Sequence, residues 1–181
     1  RTALLLDFDE SDDGASGFVV LALFDTGGEA RLLDAANVAF DRYTAFADPA
    51  RLAAGVRDDL LAIRSTHFNS YQGYAITALI LLRAGRIELV DEVSTFDDRT
   101  CVWQRSQLLD LGTGAGEPFA DIAATVTERL EATGEDCGDE AMPGPPTRRI
   151  AVTSRWNADA QRYLPDSDAF AVLAQENEKR F

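Results

Sequence analysis

The residues from Asp59 to Phe96 hold the longest apolar run of the chain, its clearest hairpin and its only histidine. Tyr74–Arg83 and Arg86–Thr95 flank Ala84-Gly85, which predicts two strands joined by a two-residue turn. In that register Leu82 faces Ile87, Ile80 faces Leu89, Ala78 faces Asp91 and Ile76 faces Val93. That face is almost wholly apolar. The other mixes Thr77, Arg83, Arg86, Glu88 and Glu92 with Leu79, Leu81 and Val90, so part of it is expected to be covered as well. A one-residue slip would exchange the two faces, so a core packed on one of them fixes the register. Asp59–Asn69 reads as the preceding strand, and Ser70–Gly73 as the loop into the hairpin.

The flanking sequence extends the same pattern. Thr2–Phe8 is a short apolar run that suits a buried strand, and Phe18–Asp25 is a second, rich in β-branched and aromatic residues. Glu29–Phe40 reads as two short strands, with Asn37 interrupting the apolar stripe, and Asp41–Arg57 as a mixed segment with a helical turn at Pro49–Gly55. Thr100–Leu111 is expected as an irregular strand. In Phe119–Ala132 Ile122, Ala124, Val126 and Leu130 alternate inward, which predicts a strand paired with Ile150–Trp156 across the polar loop Gly134–Thr147. A short strand at Arg162–Leu164 leads to a helix capped by Asp166 or Ser167, with Phe170, Leu173, Ala174 and Phe181 on its apolar side. The expected fold is mainly β: a single antiparallel sandwich or barrel-like domain over residues 1–181, of about nine strands, with one C-terminal α-helix.

Composition narrows the partners. Hydrophobic residues make up 46% of the chain, enough for a core without metals. The formal net charge is −14, and Lys179 is the only lysine. Such a surface repels phosphate backbones, so nucleic acid is not an expected partner. The best apolar run, Tyr74–Leu82, falls well short of the ~20 residues a membrane helix needs. Cys101 and Cys137 form no C-x-x-C pair, and one histidine cannot complete a zinc set with them. Both lie among polar residues, which favours a Cys101–Cys137 disulfide and a compartment outside the reducing cytosol, periplasmic or extracellular. The sequence opens at Arg1 rather than Met, so a preceding segment is expected to have been removed.

Four stretches carry candidate chemistry. Leu108–Gly116, LLDLGTGAG, resembles the first motif of class I S-adenosylmethionine-dependent methyltransferases over about ten residues. By position the resemblance implies a cofactor loop lined by Asp110, Gly112, Gly114 and Gly116. That fold also needs a following helix, a second strand ending in an acid and several βα units, none of which the downstream sequence offers; a glycine turn between two strands explains the run with less. Asp9–Gly14 resembles the start of a calcium loop, with oxygens from Asp9, Ser11 and Asp13, but the twelfth position is Val20 where such a loop has Glu. His67, followed by Asn69, Ser70 and Tyr71, is the third: a lone histidine near a strand end is a general acid or base if a carboxylate such as Asp91 or Glu92, or Ser65, orients it, and otherwise a structural donor to a loop. Cys101 near Trp103, and Trp156 with Tyr163, read as a core edge or an aromatic binding surface.

No assembled catalytic set emerges. The expectation is therefore a non-enzymatic, exported bacterial-type domain that binds a protein or small ligand, with no cofactor other than calcium and with a site, if one exists, in the loop bearing His67, Asn69, Ser70 and Tyr71. The alternative is an enzyme, either a methyltransferase built on LLDLGTGAG or a hydrolase using His67.

Overall fold

The computed structural model describes residues 1–8, 18–41, 43–134 and 143–181. Among them are eleven strands and one helix: β1 (Thr2–Phe8), β2 (Phe18–Asp25), β3 (Arg31–Asn37), β4 (Tyr43–Ala53), β5 (Asp59–Asn69), β6 (Gln72–Arg83), β7 (Arg86–Arg99), β8 (Trp103–Thr113), β9 (Ile122–Ala132), β10 (Thr147–Asn157), β11 (Arg162–Pro165) and α1 (Ala169–Glu178). They form two antiparallel sheets. The first three strands make one in sequence order, and β4 through β11 make the other, again each beside its sequence neighbour. The larger sheet does not close into a barrel, because β4 and β11 remain its edges.

The chain is therefore mainly β with a C-terminal helix, as its alternation requires. Phe119–Ala132 does contain a strand, and it pairs with β10 through Val126↔Ile150 and Ala124↔Val152. Four local expectations change. Glu29–Phe40 holds one strand, not two: Leu33 is accommodated as an extra residue where the β2–β3 register shifts, and Asn37 ends the strand by accepting the Ala39 amide at 3.1 Å. Pro49–Gly55 is not helical. Residues 43–46 and 51–53 pair with β5 instead, and Pro49 is tolerated in the register shift between them, on an edge strand where a missing N–H breaks no ladder bond. The β5–β6 loop shrinks to Ser70-Tyr71, with Asn69 paired to Gln72 and Ser70 at φ 47°. Finally, Asp168 rather than Asp166 or Ser167 precedes α1, and its side chain makes no capping bond. The Asp166 carboxylate is engaged elsewhere, accepting the Thr153 amide at 3.0 Å.

The central hairpin keeps the predicted pairs Leu82↔Ile87 and Ile80↔Leu89. A bulge then shifts the register by one, so Leu79 meets Asp91, Ala78 meets Glu92 and Thr77 meets Val93. Val90 is the extra residue, and it packs partly buried against the core. Such bulges increase local twist.

That twist separates two cores. The large sheet coils until Ala120 N donates to Ala54 O at 2.7 Å, bringing the approach to β9 against the end of β4. Inside the coil lie Leu60, Ala62, Leu79, Leu81 and Val93 from β5–β7, together with Ile122, Ala124, Val126 and Val152, and Phe170 and Leu173 of α1. The alternate residues Leu61, Ile63, Ala78, Ile80 and Leu82 point the other way, onto Val19, Leu21 and Leu23 of β2. Strands β5 and β6 are thus covered on both faces, which is why their sequences run apolar without interruption. Asp34 ties the two sheets together by accepting the Ile87 amide at 2.9 Å. That bond, ahead of a smaller opposing effect of burial, holds its carboxyl below the usual range.

Candidate functional site

His67 lies near the end of β5 on the side of Leu61, Ile63 and Ser65, as alternation requires. Its Nδ1 is 3.0 Å from Oδ2 of Asp41, a residue of the β3–β4 connection. A carboxylate only accepts, so Nδ1 carries the proton. Asp91 and Glu92 do not orient the imidazole, and Ser65 is committed to Thr44 Oγ1 at 2.7 Å and the Phe40 amide at 3.3 Å. The Phe181 ring meets the imidazole edge-on at 5.6 Å and also packs on Tyr74. Among the described residues no hydrogen bond reaches Nε2. The arrangement is one acid–base pair clasped by an aromatic ring, with no nucleophile hydrogen-bonded to the imidazole among the described residues.

The other residues of that loop face elsewhere. Ser70 and Tyr71, with the exposed ring of Phe68, line an open cleft of about 410 Å³ with Gln72, Arg99 and Gln104. His67 is not among its lining residues, because adjacent residues of a strand project to opposite faces. Asn69 is exposed, at the end of the β5–β6 ladder. The four candidates therefore do not converge on one pocket.

Leu108–Gly116 is the end of β8 and its turn toward β9. Asp110 pairs with Thr125, Gly112 pairs with Ala123, and Gly114 N donates to Asp121 O at 2.8 Å. At Gly116 a Cβ would stand 2.5 Å from Phe119 O and 2.9 Å from Asp121 N, so this glycine is required by a tight turn. The α/β fold that the methyltransferase resemblance implies is not the fold of this chain. Asp9, Ser11 and Asp13 lie outside the described residues, as does Cys137. Cys101 is exposed and is not a free thiol. Trp156, Tyr163 and Phe119 form an aromatic edge of the main core, with Arg83 4.8 Å over the Trp156 ring. Tyr163 donates to Ala120 O at 2.8 Å, and burial, aided by Asp121, pushes its phenol up to about 12.

Sequence reasoning passed over two features. One is a buried polar cluster where α1 meets β7–β9. Glu128 is 3% exposed and lies within ion-pair reach of Arg105, Arg148 and Arg180. Gln107 Nε2 donates to Glu128 at 2.6 Å, and Arg105 donates to Asp98 at 3.1 Å. Burial pushes the Asp98 carboxyl up and the Arg105 guanidinium down, while Arg148 bonds Glu176 at 2.7 Å and holds that carboxyl low. The signal was available: Glu128 occupies the inward parity of Ile122, Ala124, Val126 and Leu130. Three arginines face three carboxylates, and the ion pairs to Arg148 and Arg180 clamp the helix onto the sheet, while Asp98 and Arg105 at the other end of the cluster also line the open cleft beside Tyr71.

The other feature is the outer face of the small sheet. Its inner parity (Leu5, Val19, Leu21, Leu23) packs on β5–β6. Its outer parity presents Leu4, Leu6 and Phe8 from β1, Phe18, Val20 and Phe24 from β2, and Leu32 from β3. No charged residue points outward from these three strands. Phe18 is 66% exposed, Phe8 55% and Leu32 54%. The expectation that Thr2–Phe8 is a buried strand fails for this half of its residues.

The chain matches no protein-family model, no curated protein and no solved structure.

Proposed function

We propose that this chain is a non-catalytic, exported binding module that docks a protein partner through the outer face of its three-stranded sheet. The observation carrying this reading is the mismatch between sequence and exposure there. An antiparallel sheet that faces water on one side alternates apolar with polar residues. Here β1 and β2 are apolar at both parities, yet among the described residues only one parity packs against the rest of the chain. A contiguous apolar face of this kind marks an interaction surface. With a net charge of −14, the fitting partner offers an apolar patch ringed by basic residues. Export is supported by Cys101, which is exposed in a polar setting and is not a free thiol, with Cys137 as the only other cysteine of the chain.

A photo-crosslinking residue placed at Phe18 in the producing cell tests the docking surface, with the same residue at the equally open Leu108 of the large sheet as control. A discrete adduct formed from position 18, absent from position 108 and lost in a Leu6→Asp background, is the expected result. Identical labelling from both positions, or none from 18, removes the reading. A thiol count on the denatured, unreduced protein tests the export claim, and two reactive thiols would end it.

A further inference from the structure

The seam between the two sheets holds a cleft of about 530 Å³, within the range of small-molecule sites. Its floor is apolar: Leu23 from β2, Leu61 from β5 and Leu82 from β6, with Ala3 and Phe46 on the walls. Its rim carries Arg1, Arg51 and Arg57 against the single carboxylate of Asp59.

The cleft exists because β4 leaves the sheet there. Phe46 pairs with Ile63 and Arg51 with Leu61, so residues 47–50 stand opposite Ala62 alone. That excursion interrupts the ladder of the edge strand beside β5 and leaves a cleft over the rim of the second core, where Leu23, Leu61 and Leu82 remain largely buried beneath it.

The charge is local and opposed to the rest of the molecule. In a chain with 31 acidic and 17 basic residues, three arginines meet at one mouth. Arg51 Nε lies 2.9 Å from Asp59, and Arg1 is 3.8 Å from Asp58 and donates to Arg57 O at 2.9 Å. The Arg57 guanidinium has no carboxylate partner among the described residues. Guanidinium groups bind carboxylates bidentately, and a leucine floor accepts hydrocarbon.

We infer that this cleft is a binding site for an amphiphilic monoanion of the fatty-acid class, its carboxylate held by Arg57 and Arg51 and its chain laid over Leu61 and Leu82. The site is separate from the outer face of the small sheet and stands or falls independently of it.

Titration calorimetry with monomeric dodecanoate tests the assignment, with acetate and dodecanol as partial ligands. One-to-one binding of dodecanoate is expected, with acetate and dodecanol each at least tenfold weaker. Arg57→Glu should weaken dodecanoate at least tenfold, as should Ala50→Trp, which fills the wall, both in variants whose circular dichroism shows the wild-type fold. Phe18→Asp, on the outer face, should leave the affinity unchanged. Absence of binding to the wild-type protein overturns the site. So does affinity that survives both cleft variants, or affinity lost in Phe18→Asp, which would move the hydrophobic contact to the other surface.

Discussion

Asn177 and Gln107 hold each other by a reciprocal amide pair: Asn177 Nδ2 donates to Gln107 Oε1 at 2.9 Å, and Gln107 Nε2 donates back to Asn177 Oδ1 at 3.1 Å. Asn177 is fully buried, and Gln107 Oε1 also accepts the Phe96 amide at 2.9 Å. One side chain of the last helical turn is thereby joined to two strands. Replacing it strands partners that water cannot reach. Asn177→Leu is expected to cost about 2–3 kcal/mol, a full desolvation penalty rather than the net worth of one bond. Urea unfolding measures it, and a cost under about 0.5 kcal/mol would show that the helix is not clamped there.

Glu128 extends that clamp to charge. Glu128→Ala would leave Arg105 buried beside Asp98 alone and Arg148 without its inner partner, and should cost roughly 3–5 kcal/mol. The surface pair Arg51–Asp59 is the comparison. Arg51 is 69% exposed, so Arg51→Met should change stability by no more than about 1 kcal/mol. Equal costs for the two substitutions would contradict the burial argument.

The glycines of LLDLGTGAG separate by position. Gly116→Ala drives a Cβ into backbone atoms of Phe119 and Asp121 and should destabilise by about 1–3 kcal/mol. At Gly112 nothing lies within 4 Å of a new Cβ, so Gly112→Ala should be nearly neutral. Thermal melts of the two variants check the order, and its reversal would deny the turn at Gly116.

Tyr163 gives an alkaline signature. Its folded phenol titrates near 12, above the unfolded value of 10.0, so the folded state prefers the protonated form. That preference contributes fully below pH 10 and is lost as pH rises from about 10 toward 12. Tyr163→Phe should remove this part of the decline, flattening stability relative to wild type over that window. The two curves staying parallel would mean that Tyr163 titrates alike in both states.

The two parities of β1 and β2 should respond oppositely to truncation. Leu21, fully buried against β5–β6, should cost about 2–5 kcal/mol as Leu21→Ala. Leu6→Thr and Phe18→Thr, on the outer face, should leave the isolated chain within about 0.5 kcal/mol of wild type. A large loss from either outer substitution would mean that this face is part of the core, not a surface for a partner.

Periodicity made most of the fold legible. Thr2–Phe8, Phe18–Asp25 and Asp59–Asn69 are strands with the boundaries read from sequence, because alternation and turn residues act over a few neighbours. The candidate site was less legible. His67 could be placed on a face, but its partner Asp41 is 26 positions away and comes from another connection, which no spacing rule reaches. Glu128 was legible as an acid at an inward parity, though not the arginines that make it tolerable.

By itself, then, the sequence determined the class of structure, the turn of the central hairpin and the side to which strand residues point where no bulge intervenes. Those depend on the period of two and on the turn at Ala84-Gly85, both local properties. Only the tertiary structure decided which of those sides would be covered. It assigned one parity of β5–β6 to the coiled sheet and the other to β2, opened the cleft where β4 departs, and left the outer parity of β1–β2 in solvent. Coverage depends on what the twist and bulges of distant strands bring overhead, and an apolar residue carries the same demand for burial whether or not the chain itself supplies the cover.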